Sequence, residues 1–258
     1  MAGRVIAVAS QKGGVGKTTT AVNLAASLAV LERRVLLVEL DPQGAIAPCF
    51  GFGRHAVKGG VYDVVVRGQA LPPFVLTVKG LGLGIVPINV WSDDQEEAYL
   101  MACSRHALVG ALAGARAEYD YVILDNPPTI GPVAVAALSA ADSLLVPVQC
   151  EEMAVATLGK LFRTARRVKS NGNPALGLEG ILLTMADPKA PMTREVVDKL
   201  RRAFGAQVFG TVVPRCPDLA RVMQRGEPAL FTRAWSPGAQ AYLKLAGELL
   251  RRPGAAAA

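Results

Sequence analysis

A chain of 258 residues with 51% hydrophobic content can bury a large core, and this length falls at the upper end for a single α/β domain, so no second domain is needed. Its longest apolar runs are strand-sized, so neither a membrane span nor an export signal is expected, and its four cysteines (Cys49, Cys103, Cys150, Cys216) lie far apart without metal-ligand spacing and read as reduced thiols. The net charge of +7 is unevenly placed: residues 1–159 carry 11 Lys and Arg against 14 Asp and Glu, whereas residues 160–258 carry 17 against 7.

Residues 5–9 form a short apolar run suited to a buried strand. Residues 18–31 place Val22, Leu24, Ala25, Leu28 and Leu31 at helical spacing. Between them runs Lys12-Gly13-Gly14-Val15-Gly16-Lys17-Thr18-Thr19. The glycines permit backbone angles and close approaches that a β-carbon hinders, so successive N–H groups can turn around phosphate oxygens. Strand, glycine loop and helix together predict a site for a nucleoside triphosphate. Lys17 reaches the β and γ phosphates, Thr18 places its hydroxyl on Mg²⁺, and the helix N-terminus adds its partial positive charge.

Further strands are expected at 34–39, 84–87, 121–124, 143–148, 180–183 and 208–213, alternating with helical stretches. This alternation predicts a doubly wound α/β fold, a mostly parallel sheet with helices on both faces and ligands beyond the carboxyl ends of the strands. The turn-rich segments 51–60 and 68–84 read as surface excursions. Asp41, in Asp41-Pro42-Gln43-Gly44, suits a turn as well as a reactive site. Asp125 follows four apolar strand residues, where a carboxylate is expensive to bury without a cation or donor. One domain over residues 1–250 and a frayed tail at 251–258 are expected.

In the basic part, Lys160, Arg163 and Arg167 share one face of a predicted helix, with Arg166 and Lys169 beside them. A second helix-like stretch, 194–204, sets Arg194, Lys199, Arg201 and Arg202 around an apolar stripe. With Lys189, Arg221 and Arg225 they point to a polyanion, and contacts of this kind are to phosphates and carry no sequence code.

The loop with its second lysine at position 12 resembles the deviant Walker A box of the ParA/MinD group of P-loop ATPases, and the wider chain resembles the ParA (Soj-like) branch. Val38-Glu39-Leu40-Asp41-Pro42-Gln43-Gly44 is similar to that branch's Asp-x-Asp-Pro-Gln-Gly segment, and Tyr121 to Pro128 to its Walker B strand and switch. Pro147 to Glu151, Gly180 to Met185, Val213-Pro214-Arg215 and Gly238 to Tyr242 follow in the family's order. The resemblance implies a weak Mg²⁺-dependent ATPase that buries two ATP molecules between two subunits. Lys12 then crosses to the partner's nucleotide, Asp41 orients the attacking water and is a possible metal contact, and Asp125 supports the Mg²⁺ shell. Met185, Pro214 and Arg215 lie near the base and ribose. The implied partners are non-specific double-stranded DNA and a ParB-like or other adaptor that stimulates hydrolysis, in a cytoplasmic, nucleoid-associated protein that partitions chromosome or plasmid DNA. The alternatives are positioning of a protein cargo on the nucleoid and a MinD-like membrane ATPase. The latter needs a terminal amphipathic helix that 241–258 does not strongly offer. The spread of the cysteines argues against the iron-sulfur relatives, and with a sheet beginning by residue 4 the N-terminal DNA-reading region of larger plasmid relatives is not expected.

The chain also departs from that pattern. Glu39 replaces an aspartate, Ala45 an asparagine, Asn126 a cysteine and Met153 an aromatic residue. Asp218 and Arg221 stand where the family has a basic and an acidic residue. Asp218 is expected near the start of a helix at Pro217, paired with Arg221.

Overall fold

The structure, a computed structural model, describes residues 2–103, 107–151, 154 and 158–252, with Met223 and Arg225 described by their backbone alone. Met153 and residues 253–258 lie outside the described residues. The first half comprises β1 (Arg4–Val8), α1 (Lys17–Val30), β2 (Val35–Glu39), α2 (Val61–Arg67), β3 (Leu76–Val78), β4 (Leu83–Val86), α3 (Asp93–Cys103), α4 (Ala107–Ala111), α5 (Ala115–Glu118) and β5 (Tyr121–Asp125). The second half comprises α6 (Pro132–Ala140), β6 (Ser143–Gln149), α7 (Leu158–Asn171), β7 (Gly177–Ala186), α8 (Pro191–Phe204), β8 (Val208–Pro214), α9 (Pro217–Ala220), α10 (Val222–Arg225), α11 (Ala229–Thr232) and α12 (Pro237–Arg251).

Among the described residues the strands form one sheet in the order β3-β4-β2-β5-β1-β6-β7-β8, parallel throughout except for β3. The central strands are apolar through their interiors because both of their faces are covered, and they end in Glu39, Asp125 and Gln149. Their side chains divide by the two-residue period of a strand. Val5, Ala7, Leu36, Val38, Val122 and Leu124 join one core, with residues of α2, α3, α4, α6, α7 and α8. Ile6, Val8, Val35, Leu37, Ile123 and Leu145 join the other, with α1 and α12. Each such aliphatic side chain withdrawn from water stabilises the fold by roughly 1.5–3 kcal/mol before entropy is counted.

The register sets the height of the site. β1 and β5 pair Val8 with Asp125, and β2 and β5 pair Glu39 with Asp125. The exit to the glycine loop and two acidic side chains therefore lie level at the carboxyl ends of adjacent strands.

Two segments carry structure that the sequence did not show. The segment read as a surface excursion over 68–84 contains β3, which adds antiparallel to β4 as the sheet edge; a three-residue strand with half-buried Leu76 and Val78 is too short to announce itself by alternation. The chain expected to fray from 251 is instead held through Arg252. α12 runs to Arg251, and the Arg252 guanidinium lies 3.9 Å over the Phe209 ring. It donates to Glu179 O at 3.2 Å, to Val208 O at 3.1 Å and to Glu248 Oε1 at 3.0 Å. Glu248 in turn accepts from Gly210 N at 2.8 Å and Thr211 N at 3.0 Å, where the β7–β8 register is irregular and these donors need a partner.

Replacing Arg252 by alanine should therefore lower the unfolding free energy by about 2 kcal/mol, the sum of lost charged hydrogen bonds and ring contact. Urea titration monitored by circular dichroism measures it, and an unchanged midpoint would show that this contact does not hold the C-terminus.

Candidate functional site: a glycine loop over buried acidic strand ends

The loop between β1 and α1 is built on two left-handed glycines, Gly14 at φ 73° and Gly16 at φ 87°. Residues with a β-carbon rarely adopt this conformation, so the glycines are required where they stand. Gly16 caps α1, and no side chain caps that end, so the first-turn amides point into the loop without a competing acceptor. The Thr184 hydroxyl, at the end of β7, donates to Val15 O at 2.9 Å and fixes the loop from below. A second tie holds α1 itself, since Thr20 Oγ1 and Tyr242 Oη of α12 lie 3.0 Å apart and both are buried.

Lys17 is buried, and its ammonium donates to Lys12 O at 3.1 Å across the loop. Burial lowers its pKa, while the charges of Asp125 and Asp41 oppose the fall. Thr18 follows it at the start of α1, beside Asp125, and Thr19 lines the cavity described below. Lys12, expected to reach a partner subunit, is half-exposed and forms an ion pair with Glu151 of its own chain. The sequence singled out the segment containing Glu151 but assigned that residue no role.

Asp125 is wholly buried, and neither carboxylate oxygen has a hydrogen-bond partner among the described residues. Burial is the chief reason its pKa is pushed up to about 8. The Thr18 hydroxyl beside it and the Lys17 charge restrain the rise, whereas Glu39 and Asp41 add to it. Two buried acceptors that no donor within the protein fully satisfies, next to a lysine and a hydroxyl at the mouth of a phosphate-type loop, fit a hydrated hard cation. Asn126 donates its amide to Val8 O at 3.1 Å and Leu124 O at 3.2 Å, so the residue in the cysteine position ties β1 to β5.

Asp41 lies within electrostatic reach of Lys17 and Asp125. It also makes the turn its sequence suggested: Oδ1 accepts from Gln43 N at 3.1 Å, and its carbonyl accepts from Gly44 N at 3.2 Å. Glu39 is buried, with Oε1 2.6 Å from Ile46 N and Oε2 3.2 Å from Ile88 N. Burial raises its pKa to about 7 against the pull of these amides.

Beyond the loop a cavity of about 130 Å³ is lined by Gly16, Thr19, Thr184, Met185, Val213, Pro214, Arg215, Cys216 and Tyr242 among others. The three residues expected near a base and ribose are thus brought together, with Met185 at φ 52°, an uncommon angle for a side chain of its size.

The basic residues are divided between the layers. α7 buries Leu161 and Val168 in the first core and exposes Lys160, Arg163 and Arg167. Lys189 is exposed on the β7–α8 connection, whereas Arg221 is exposed between α9 and α10, whose Leu219 and Val222 belong to the second core. The side chain of Arg225 lies outside the described residues. Asp218 stands in the first turn of α9 as expected, and its carboxylate meets Arg233 at 3.6 Å, a partner fifteen residues away that local spacing could not show.

A family model described as an AAA domain (AAA_31) matches residues 3–178. The chain is 41% identical to a chromosome partitioning protein ParA of Myxococcus xanthus, over 97% of this chain and 89% of that protein. It is 38% identical to the sporulation initiation inhibitor protein Soj of Bacillus subtilis, over 96% and 98% respectively. Among solved structures it is similar to a cobyrinic acid a,c-diamide synthase of Mycobacterium smegmatis holding ADP and magnesium. That likeness has a TM-score of 0.80 and 33% identity, and it covers 96% of this chain and 94% of that one.

The buried Asp125 carboxyl makes a signed prediction. Its folded pKa, about 8, lies above the unfolded value of 3.8, so between these values the folded state binds the extra proton and stability falls as pH rises. Asp125→Asn should raise the melting temperature of the ligand-free protein at pH 8 and raise it by clearly less at pH 5. Calorimetry in EDTA measures both, and no gain at pH 8 would contradict an uncompensated buried carboxylate.

Proposed function

The chain belongs to the ParA/Soj family of P-loop ATPases, and from that premise we propose that it is a weak Mg²⁺-dependent ATPase that forms an ATP-sandwich dimer, binds double-stranded DNA without sequence preference and drives partition of chromosome or plasmid DNA. The observation that carries this reading is the meeting of a glycine loop, buried Lys17 and partnerless Asp125 at level strand ends. The ADP and magnesium held by the solved neighbour support the same ligands here.

Bound Mg²⁺–ATP supplies the scissile phosphoanhydride and the cation that neutralises its charge. The protein's part is positioning and charge. Loop amides from Gly13 to Thr19 cradle the phosphates. Lys17, already desolvated, offers a charge that water screens little. Thr18, through its hydroxyl, and Asp125, through its carboxylate, would hold the cation. Asp41 orients the attacking water from a turn that holds one of its oxygens. Met185, Pro214 and Arg215 border the base. Lys12 leaves Glu151 and contributes its ammonium to the nucleotide of the second subunit, stabilising charge in the same way as an arginine finger.

The DNA surface comprises Lys160, Arg163 and Arg167 of α7 with Lys189, Arg221 and Arg225, all contacts to phosphates. A ParB-like or other adaptor stimulates turnover. Asp218, a carboxylate that meets Arg233, contributes no basic contact. Among the described residues no helix is long and apolar enough to cross a membrane. The apolar face of α12, the one terminal helix with suitable spacing, is packed in the second core through Ala241, Tyr242, Leu245, Ala246 and Leu249, which favours the DNA reading over a membrane anchor.

One experiment tests dimer and DNA together. With Mg²⁺ and ATP the wild type should bind a random duplex with an affinity that falls steeply with salt, since counterion release drives it and two surfaces engage one duplex. Lys12→Ala should retain ADP binding yet lose both the dimer, by light scattering, and the ATP-dependent gain in DNA affinity. A Lys12→Ala protein that dimerises and binds DNA normally would contradict the proposal.

A further inference from the structure

Glu39 occupies the end of β2, is 1% exposed, and stands level with Asp125 in the neighbouring strand. The family pattern has an aspartate at this position. The carboxylate found here is engaged on both oxygens. Oε1 receives the Ile46 amide at 2.6 Å and Oε2 the Ile88 amide at 3.2 Å, so each oxygen holds a different chain segment. Ile46 closes the loop that follows β2, and Ile88 lies just beyond β4.

Asp41 lies inside the bracketed loop. Its preceding residue is anchored twice, Leu40 N to Asp125 O at 2.9 Å and the Tyr99 hydroxyl to Leu40 O at 3.1 Å. The far end of the loop is anchored by Glu39 through Ile46. An aspartate in place of Glu39 would withdraw the carboxylate by about 1.5 Å, one carbon–carbon bond, and could not meet both amides. The added methylene is therefore what allows one side chain to span the two segments.

We propose that Glu39 is a positioning residue for hydrolysis: by tying the Asp41 loop to the segment after β4, it sets where the Asp41 carboxylate stands, and it takes no place in the metal shell. The proposal rests on the reading of Asp41 as the residue that orients the attacking water. Displacing that carboxylate by about 1 Å should cost roughly 100-fold in rate while leaving nucleotide held by the glycine loop.

The test compares Glu39→Gln, which keeps the length but replaces one acceptor oxygen by an amide, with wild type, each with and without Asp41→Ala. Hydrogen exchange at the Ile46 and Ile88 amides is read on ligand-free protein, and kcat and KM for ATP are read with Mg²⁺. The expected result is faster exchange at the amide that loses its acceptor, kcat reduced roughly 10- to 100-fold with KM within about twofold, and no further loss when Glu39→Gln is added to Asp41→Ala. A wild-type kcat despite faster exchange would overturn the proposal. An impaired Asp41→Ala protein that loses the same factor again would overturn it while leaving the role of Asp41 standing. Wild-type turnover by Asp41→Ala alone would overturn both. Should Glu39→Gln not fold, Glu39→Asp, which keeps the charge and loses the reach, supports the same comparison.

Discussion

The structure depends on a carboxylate that is expensive where it stands. Asp125 ends a strand with no exposure, with only the Thr18 hydroxyl and the Lys17 charge beside it to offset its burial, which raises its pKa to about 8. A sequence selected for stability alone would place an apolar residue there, since an uncompensated buried carboxyl costs several kcal/mol. Lys17, also buried, offsets part of that charge through space. The remaining compensation belongs to a ligand, which makes the site a place where stability is given up for chemistry.

The rest of the fold holds this arrangement in position. Parallel pairing brings Val8, Asp125 and Glu39 to one height, and the two cores grip the sheet from opposite sides, so the strand ends cannot shift independently. Single side chains then reach from neighbouring strands and helices to the loops. Thr184 holds the glycine loop, Tyr242 meets Thr20, Asn126 ties β1 to β5, and Glu39 brackets the turn of Asp41. A phosphate site built in this way rests on a rigid frame, and the loop glycines supply backbone conformations without needing mobility.

What the sequence revealed was what depends on local backbone chemistry. The glycine loop was legible because its conformations exclude most other residues, the central strands because buried parallel strands are continuously apolar, and Asp125 because it follows four apolar residues. What stayed hidden lies far apart in the chain. In the sequence Glu39 was no more than a replacement for an aspartate, and its two amide partners, at Ile46 and Ile88, lie on other segments. Asp218 finds Arg233, and Lys12 finds Glu151 within its own subunit. Arg252 looked like part of a polar tail but covers Phe209 at the edge of the sheet. None of these pairings leaves a periodic trace, because each depends on which strands the topology makes neighbours.

The central claim is that Lys17 and the glycine loop hold a nucleoside triphosphate over Asp125. Isothermal titration of Mg²⁺–ATP into the wild type and into Lys17→Ala tests it most directly. Saturable binding by the wild type and none by the folded variant is the predicted outcome; equal affinity of the two proteins would contradict the account.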